Sequence, residues 1–332
     1  MILESYIKIN HSFKKKLIFS IGSKAGFFSE YNNMILAMIF CLENQIKFTI
    51  SSYNSNFKFK NGWTDYFIPF CDDYNDKLII RYNRRMPFKY KKKYSGNLEY
   101  FIRSNIFLPL KILLNKIWLV IIKYFFLNKH TPFLFTFELW DMFHNNKMNY
   151  KNYHFNSLNI QGDLRDVAKK FIDLTWQYNS DVSYEIKNKI DSLSLPNEYI
   201  GFHLRGGDKY LEFEQQEVEK YILKAESLSS IRNGFVLTDD YTLFEELQNK
   251  YPNWRFYTLC DVKSRGYFHD QYKNESLEIK RSDHLKLFAS VDILSNSEYF
   301  IGTWNSNVGM YLGMRMDKKK CYGIDFNEWR IW

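Results

Sequence analysis

The chain has 332 residues, 45% of them apolar and 19% aromatic, with 14 glycines and six prolines. That is material for more than one hydrophobic core and excludes a mainly disordered, collagenous or linker-like polypeptide. Forty-six basic residues against 37 acidic ones leave a formal charge of +9, which favours anionic partners without separating nucleic acid, a phosphorylated small molecule and an anionic bilayer.

Four cysteines with no C-x-x-C pair and seven scattered histidines give neither a zinc signature nor a disulfide scaffold, so reduced thiols and no metal are expected. Near the start, Lys14, Lys15 and Lys16 precede only a short apolar stretch at 17–21. No signal peptide is read there, and a cytoplasmic location is expected. Residues 77–93 are strongly basic and read as a solvated patch. At 106–127, IFLPLKILLNKIWLVIIKYFFL reaches spanning length only if Lys111, Asn115, Lys116 and Lys123 are tolerated. On a helix these four fall within about two-fifths of the circumference, leaving an apolar stripe that either packs inside the protein or lies peripherally on a membrane.

Residues 163–178 read as an amphipathic helix with Val167, Phe171, Leu174 and Tyr178 on one stripe, and 181–190 as its helical continuation. After Pro196 strands and helices alternate: strand 199–205, helix 217–226, strand 234–237, helix 241–251, strand 255–258, helix 283–295 and strand 299–301. Strands separated by helices imply an α/β fold with a parallel sheet covered on both faces and ligands beyond the carboxyl ends of its strands.

Three strand ends carry chemistry. In 199–205, Ile200, Phe202 and Leu204 share one face while His203 and Arg205 point from the other. Arg205 offers a planar fork for two phosphate oxygens, and Gly206-Gly207 let backbone N–H groups approach an anion; the alternative is a tight turn with Arg205 paired to Asp208. Thr238-Asp239-Asp240 ends the next strand, where either carboxylate could equally cap the following helix. Thr303, Asn305 and Ser306 precede a helix near Ser306 whose free N–H groups make an anion site, with a plain N-cap as the alternative. Asp292 lies on an apolar side of its helix and needs a partner: a purine N–H edge, or a nearby Arg or Lys.

Together, His203-Leu204-Arg205-Gly206-Gly207-Asp208-Lys209, Leu237-Thr238-Asp239-Asp240, Tyr251-Pro252-Asn253, Ile293-Leu294-Ser295-Asn296 and Thr303-Trp304-Asn305-Ser306-Asn307-Val308 resemble the alpha-1,6-fucosyltransferase and nodulation fucosyltransferase group of the fucosyltransferase superfamily. The stretch from Ala25-Gly26-Phe27-Phe28 to Asn33 resembles that family's first glycine loop, and 62–67 does so more weakly. The resemblance implies a GT-B-like α/β fold, two Rossmann-like domains facing a cleft. Their expected bounds are 1–160 on the acceptor side, with the amphipathic insertion near 105–128, and 161–332 on the nucleotide-sugar side.

It further implies an inverting transferase using GDP-fucose as donor substrate, a glycan acceptor that could be lipid-linked, and no cofactor or required metal. The phosphate-binding arginine carries over to Arg205, the nucleotide-contacting histidine to His203 and the pyrophosphate-side serine to Ser306. Gly26 and Phe27 match the first-domain donor loop, and Lys209, Asp239, Thr303 and Asn305 complete the donor side. The general base lands on Phe213, between Glu212 and Glu214, with Glu212 favoured by a one-residue deletion. Departures are Gly206 for a second arginine, Asn32 and Asn33 for two histidines, and Ser290 near the guanine-side aspartate, which leaves Asp292 as its displaced candidate. Rival readings are a catalytically inactive binding subunit and a basic nucleic-acid-binding protein, the latter without any recognisable reading element.

Overall fold

The structure is a computed structural model that describes residues 2–22, 25–76, 83, 113, 114, 117, 121, 133–207, 216–267, 272 and 274–331. Helices and strands are numbered in chain order within those residues. The first half opens with α1 (Ile2–Ser12), β1 (Lys15–Ser20), α2 (Phe27–Glu43) and β2 (Ile46–Ser51), and continues with β3 (Phe133–Phe135) and α3 (Thr136–Phe143). β2, β1 and β3 form a parallel sheet in that order, Leu17 facing Phe48 on one side and Leu134 on the other. The apolar run after the three lysines is therefore the central strand of a sheet. Its Leu17, Ile18 and Phe19 are buried, as expected of a strand covered on both faces.

A two-stranded antiparallel ribbon, β4 (Tyr153–Phe155) and β5 (Ile160–Gly162), leads into α4 (Leu164–Thr175) and α5 (Ser180–Asp191). α4 starts on a capping box, Asp163 accepting from the Arg165 and Asp166 amides. It buries Val167, Phe171 and Leu174 of the expected stripe but ends at Thr175, so that Tyr178, the fourth member, lies beyond the helix.

The second sheet is wholly parallel, in the order β10-β9-β6-β7-β8. Its strands are β6 (Ile200–Leu204), β7 (Asn233–Thr238), β8 (Arg255–Tyr257), β9 (Tyr299–Gly302) and β10 (Cys321–Gly323). The connecting helices are α6 (Val218–Leu228), α7 (Tyr241–Lys250), α8 (Leu277–Ser295) and α9 (Asn307–Arg315). Ile200, Phe202 and Leu204 pack with Val218, Tyr221 and Ile222 of α6, which fixes the alternation along β6. On the other face Gly201 lies under α8, where a Cβ would come within 2.7 Å of the Ser297 hydroxyl and 2.8 Å of Leu294. Two further elements differ from expectation. α8 begins six residues earlier, capped by Ser276, because its first turns are polar and lack an apolar stripe. β10 is only three residues long, too short for a period-two pattern to register.

One continuous core links the halves: Phe27, Phe28 and Tyr31 of α2 pack with Trp176, Phe288 and Tyr311. Among the described residues no helix is long and apolar enough to cross a membrane. The stripe at 106–127 and the basic stretch at 77–93 lie outside the described residues apart from Asn83, Leu113, Leu114, Ile117 and Ile121. The last four are helical and exposed.

Candidate active site

A cleft of about 620 Å³ opens between the halves, at the carboxyl ends of the second sheet and the start of α2. β6 delivers His203 and Arg205 to it and α9 delivers Ser306, Asn307 and Val308. His203 is 4% exposed, and its Nδ1 lies 3.4 Å from the Ser306 hydroxyl. Burial, and then the Arg205 cation, pull its imidazole down to about 3. At neutral pH it is an uncharged hydrogen-bonding group beside a permanent cation.

Ser306 is the N-cap of α9 and also a lining residue of the cleft. Its hydroxyl donates to the Thr303 carbonyl (3.1 Å) and accepts from the Gly309 amide (2.9 Å), capping α9, while the residue still lines the cleft. The positive end of the helix dipole therefore faces the same space as Arg205. Thr303 and Asn305 were expected to bind the donor, but neither lines this cleft. They are 5% and 8% exposed, and the Asp325 carboxylate accepts from the Trp304 and Asn305 amides at 2.7 and 2.9 Å. They form the floor that holds Ser306 in place.

The Asp239-Asp240 pair divides its labour. Asp240 caps α7 through the Thr242 amide (3.0 Å). Asp239 lines the cleft, but its carboxylate is engaged by the protein: Oδ1 accepts from the Gly206 amide (2.7 Å), and Oδ2 accepts from the Tyr267 amide (3.1 Å) and lies 3.4 Å from the Arg205 Nε. The Arg205 guanidinium also lies 5.6 Å from the Tyr267 ring centroid. The turn is specific to glycine. Gly207 has φ +59°, with the Tyr267 backbone 2.5 Å from any Cβ, and a Cβ on Gly206 would sit 2.7 Å from that of Asp240. A second arginine at 206 would therefore collide with the loop that carries Asp239.

Gly26 and Phe27 line the opposite wall at the start of α2. Gly26 is the N-cap and has no side chain to occupy the helix's first N–H groups. Phe27 is clamped edge-on against Phe288 (4.7 Å) and Phe57 (5.1 Å).

Asp292, read as a displaced base-contacting residue, turns away from the cleft. It pairs with Arg315 at 2.6 Å and accepts from the Trp176 indole (3.0 Å) and the Tyr178 hydroxyl (2.8 Å). The partner it needed on an apolar helix face is thus an arginine at the seam between the halves. Lys209, Glu212 and Glu214 lie outside the described residues.

Sequence reasoning missed the far wall, formed by the loop after β8 and one face of α8. Leu259, Cys260 and Asp261 stand opposite Asp283, Lys286, Leu287 and Ser290, whose spacing of three and four keeps them on one side of the helix. Lys286 forms an ion pair with Asp261 and lies 4.0 Å from Asp283. His284 is buried among Phe27, Phe57, Tyr66 and Phe288, and its Nδ1 donates to the Lys280 carbonyl at 2.7 Å. Burial draws its imidazole down to about 4, against that hydrogen bond. The available signal was positional: Asp261 follows the carboxyl end of a strand, where open α/β sheets bind ligands. Among the described residues no group of three or more His, Cys, Asp or Glu side chains is arranged to hold a metal ion.

Residues 167–314 match the family described as alpha-(1,6)-fucosyltransferase N- and catalytic domains. The fold matches the crystal structure of NodZ alpha-1,6-fucosyltransferase soaked with GDP-fucose, at a TM-score of 0.52 and 11% identity over 92% of this chain and 93% of that one. It also matches fucosyltransferase NodZ from Bradyrhizobium, at a TM-score of 0.50 and 12% identity over 91% of this chain and 92% of that one. The architecture, two α/β halves facing a cleft, is the GT-B fold.

Proposed function

We propose, from this chain's place in the fucosyltransferase superfamily, that it is an inverting glycosyltransferase moving fucose from GDP-fucose to a glycan hydroxyl. One observation carries the reading. Arg205, uncharged His203 and the amino end of α9 meet at one end of the cleft, inside the segment that matches the family. In the transfer the acceptor oxygen bonds to the anomeric carbon, the bond from that carbon to the diphosphate breaks, and negative charge develops on the departing GDP. A fixed cation and an oriented helix end stabilise that charge without reorganisation during the reaction. The matched NodZ crystal structure is of the protein soaked with GDP-fucose, which supports a nucleotide sugar as the donor of this chain.

His203 is enclosed against Ser306, and the resemblance places the base on the segment that follows β6. The reading therefore leaves the base to Glu212 or Glu214, of which Glu212→Gln should lower turnover by about 10²–10⁴-fold with donor affinity little changed. Arg205 and the helix end take the role a divalent cation would play, so turnover should survive EDTA. The acceptor is a glycan, with a lipid-linked one and peripheral attachment at the inner membrane face as the forms to try first.

The test is GDP release from GDP-fucose, compared with GDP-mannose, UDP-sugars and ADP-sugars, over a panel of soluble and lipid-linked glycans. Release from GDP-fucose that depends on an acceptor supports the reading. Binding of the donor with no turnover on any acceptor would make the chain a binding subunit, and loss of activity in EDTA restored by manganese would remove the metal-free mechanism.

A further inference from the structure

One stretch of chain grips α9 at two places. After β10, the Ile324 amide donates to the Gly302 carbonyl of β9 (3.0 Å), and residues 325–331 then pass α9 on the way to the first half. Asp325 stands at the turn that leads into the helix. Trp329 donates its indole N–H to the Met310 carbonyl farther along α9 (3.1 Å), and Gly313 has no room for a Cβ beside that ring. The stretch ends on Asn149 of the first half, whose Oδ1 accepts from the Ile331 amide (3.0 Å) and whose Nδ2 donates to the Ile331 carbonyl (3.2 Å). Asp325 is therefore anchored on both of its sides in the chain.

Its carboxylate is matched to what it holds. Oδ1 accepts from the Trp304 amide (2.7 Å) and the Phe326 amide (3.0 Å), and Oδ2 accepts from the Asn305 amide (2.9 Å). Two successive amides of the 303–306 turn thus point at one carboxylate. The next residue is Ser306, which caps α9 and lies 3.4 Å from His203. The turn's own backbone closure, from the Ser306 amide to the Thr303 carbonyl, is long at 3.5 Å, so the direction of the turn depends on the carboxylate. An asparagine could not replace it: one oxygen would accept, while the NH2 group would face an N–H donor. An apolar side chain would leave the amides of two buried residues, Trp304 and Asn305, without this acceptor.

We propose that Asp325 is the positioning residue of the anion-binding end of the cleft, aiming the 303–306 turn so that Ser306 and the first amides of α9 face the same space as His203 and Arg205. Asp325 itself does not line the cleft and acts only through the turn. The inference rests on the nucleotide-sugar reading given above and adds to it a residue outside the cleft wall.

Calorimetric titration of the full chain with inorganic pyrophosphate and with GDP, alongside urea unfolding, tests it. Asp325→Ala should bind both ligands about tenfold more weakly per folded molecule, the scale of one lost hydrogen bond to a charged group. Asp325→Asn should be as weak despite its equal size, and it carries the same measurement if the alanine variant does not fold. Formate supplies the missing carboxylate and is small enough for the space that alanine leaves. It should restore most of the pyrophosphate affinity of Asp325→Ala and none of that of Asp325→Asn, against chloride at equal ionic strength, with formate's own competition read from the unmodified chain. A merely structural role would lower the urea midpoint and leave affinity per folded molecule unchanged. That result in both variants, or a loss in Asp325→Ala that formate leaves untouched, would overturn the proposal alone. Failure of the unmodified chain to bind either pyrophosphate or GDP would overturn it together with the nucleotide-sugar reading.

Discussion

The two walls of the cleft are built on different physical plans. The second-half wall supplies polar atoms at strand ends, each tied by hydrogen bonds: Asp239 to the 206 and 267 amides, Ser306 to its own helix, Asp325 to the 304 and 305 amides. The first-half wall supplies shape. Phe27 and Phe28 are locked among Phe57, Trp176, Phe288 and Tyr311 and present backbone N–H groups and aromatic bulk with no ionised side chain. Charge chemistry thus sits on one wall, and the mutual placement of the walls depends on an apolar seam that holds the mostly buried Asp292–Arg315 ion pair. Damage to the seam should cost stability, and damage to the polar wall should cost rate.

The largest effect is expected at the seam. Asp292→Ala leaves Arg315 without its carboxylate in a mostly buried setting, and breaking such a pair costs about 3–5 kcal/mol. Urea unfolding would measure it, and equal activity per folded molecule would separate the seam from the chemistry. Next is Arg205→Lys. A point charge loses the two-pronged contact with phosphate and the fixed approach between Asp239 and Tyr267. Turnover should fall by about 10²–10³-fold, the scale of one lost oxyanion donor, with an unfolding midpoint near that of the unmodified chain. A large stability loss with normal turnover would reverse the division of labour between the walls.

What could be read from the sequence follows the same division. The second half was legible because each strand is a short apolar run ending in polar residues, and because side chains alternate strictly about β6; Phe202 and His203 fall on opposite faces as that pattern requires. The first half was not. α2 buries nearly its whole surface and so carries no amphipathic period, while β1 and β2 are six residues each and are covered on both faces. The misplaced site residues failed for a related reason. Periodicity locates Asp292 on an apolar side of α8 but cannot reveal that Arg315, 23 positions later, returns to meet it. Thr303 and Asn305 have the right chemistry for an anion site, but a turn held by Asp325 directs them inward. Asp261 and Lys286 sit on separate elements and become neighbours only in the folded chain.

A smaller effect tests whether the polar wall depends on its glycine turn. Gly207→Ala would force a Cβ onto a residue at φ +59° whose nearest neighbours are the Tyr267 backbone atoms at 2.5 Å. The strained conformation alone costs about 1–3 kcal/mol. Because the 205–207 turn and the 265–267 loop must then separate, pyrophosphate affinity should fall along with stability. Ala at Gly26, where a Cβ meets nothing within 4 Å, should be mild in both. Equal behaviour of the two variants would mean that the turn does not set the position of Arg205.

The smallest expected effect concerns pH, through two buried histidines, His203 on β6 and His284 on α8. In the unfolded chain both imidazoles titrate near 6.5, whereas in the folded protein burial holds His203 at about 3 and His284 at about 4. Below pH 6.5 the unfolded state therefore binds more protons than the folded one, and stability falls as the pH falls towards those values. Each histidine should remove about 1 kcal/mol between pH 6.5 and 5.5. Asp73, Asp173 and Asp283 are raised by burial and act in the opposite sense, so the slope of the unmodified chain alone does not isolate the histidines. His284→Phe does. The aromatic cage of Phe27, Phe57, Tyr66 and Phe288 accepts a ring of that size, and the Lys280 carbonyl keeps its helical partner. Urea midpoints from pH 7 to 5 should decline less steeply in the variant, by about one histidine's share. An identical slope in both proteins would mean that His284 gains its proton in the folded state, with Tyr272 and the cleft, not the apolar seam, setting its environment.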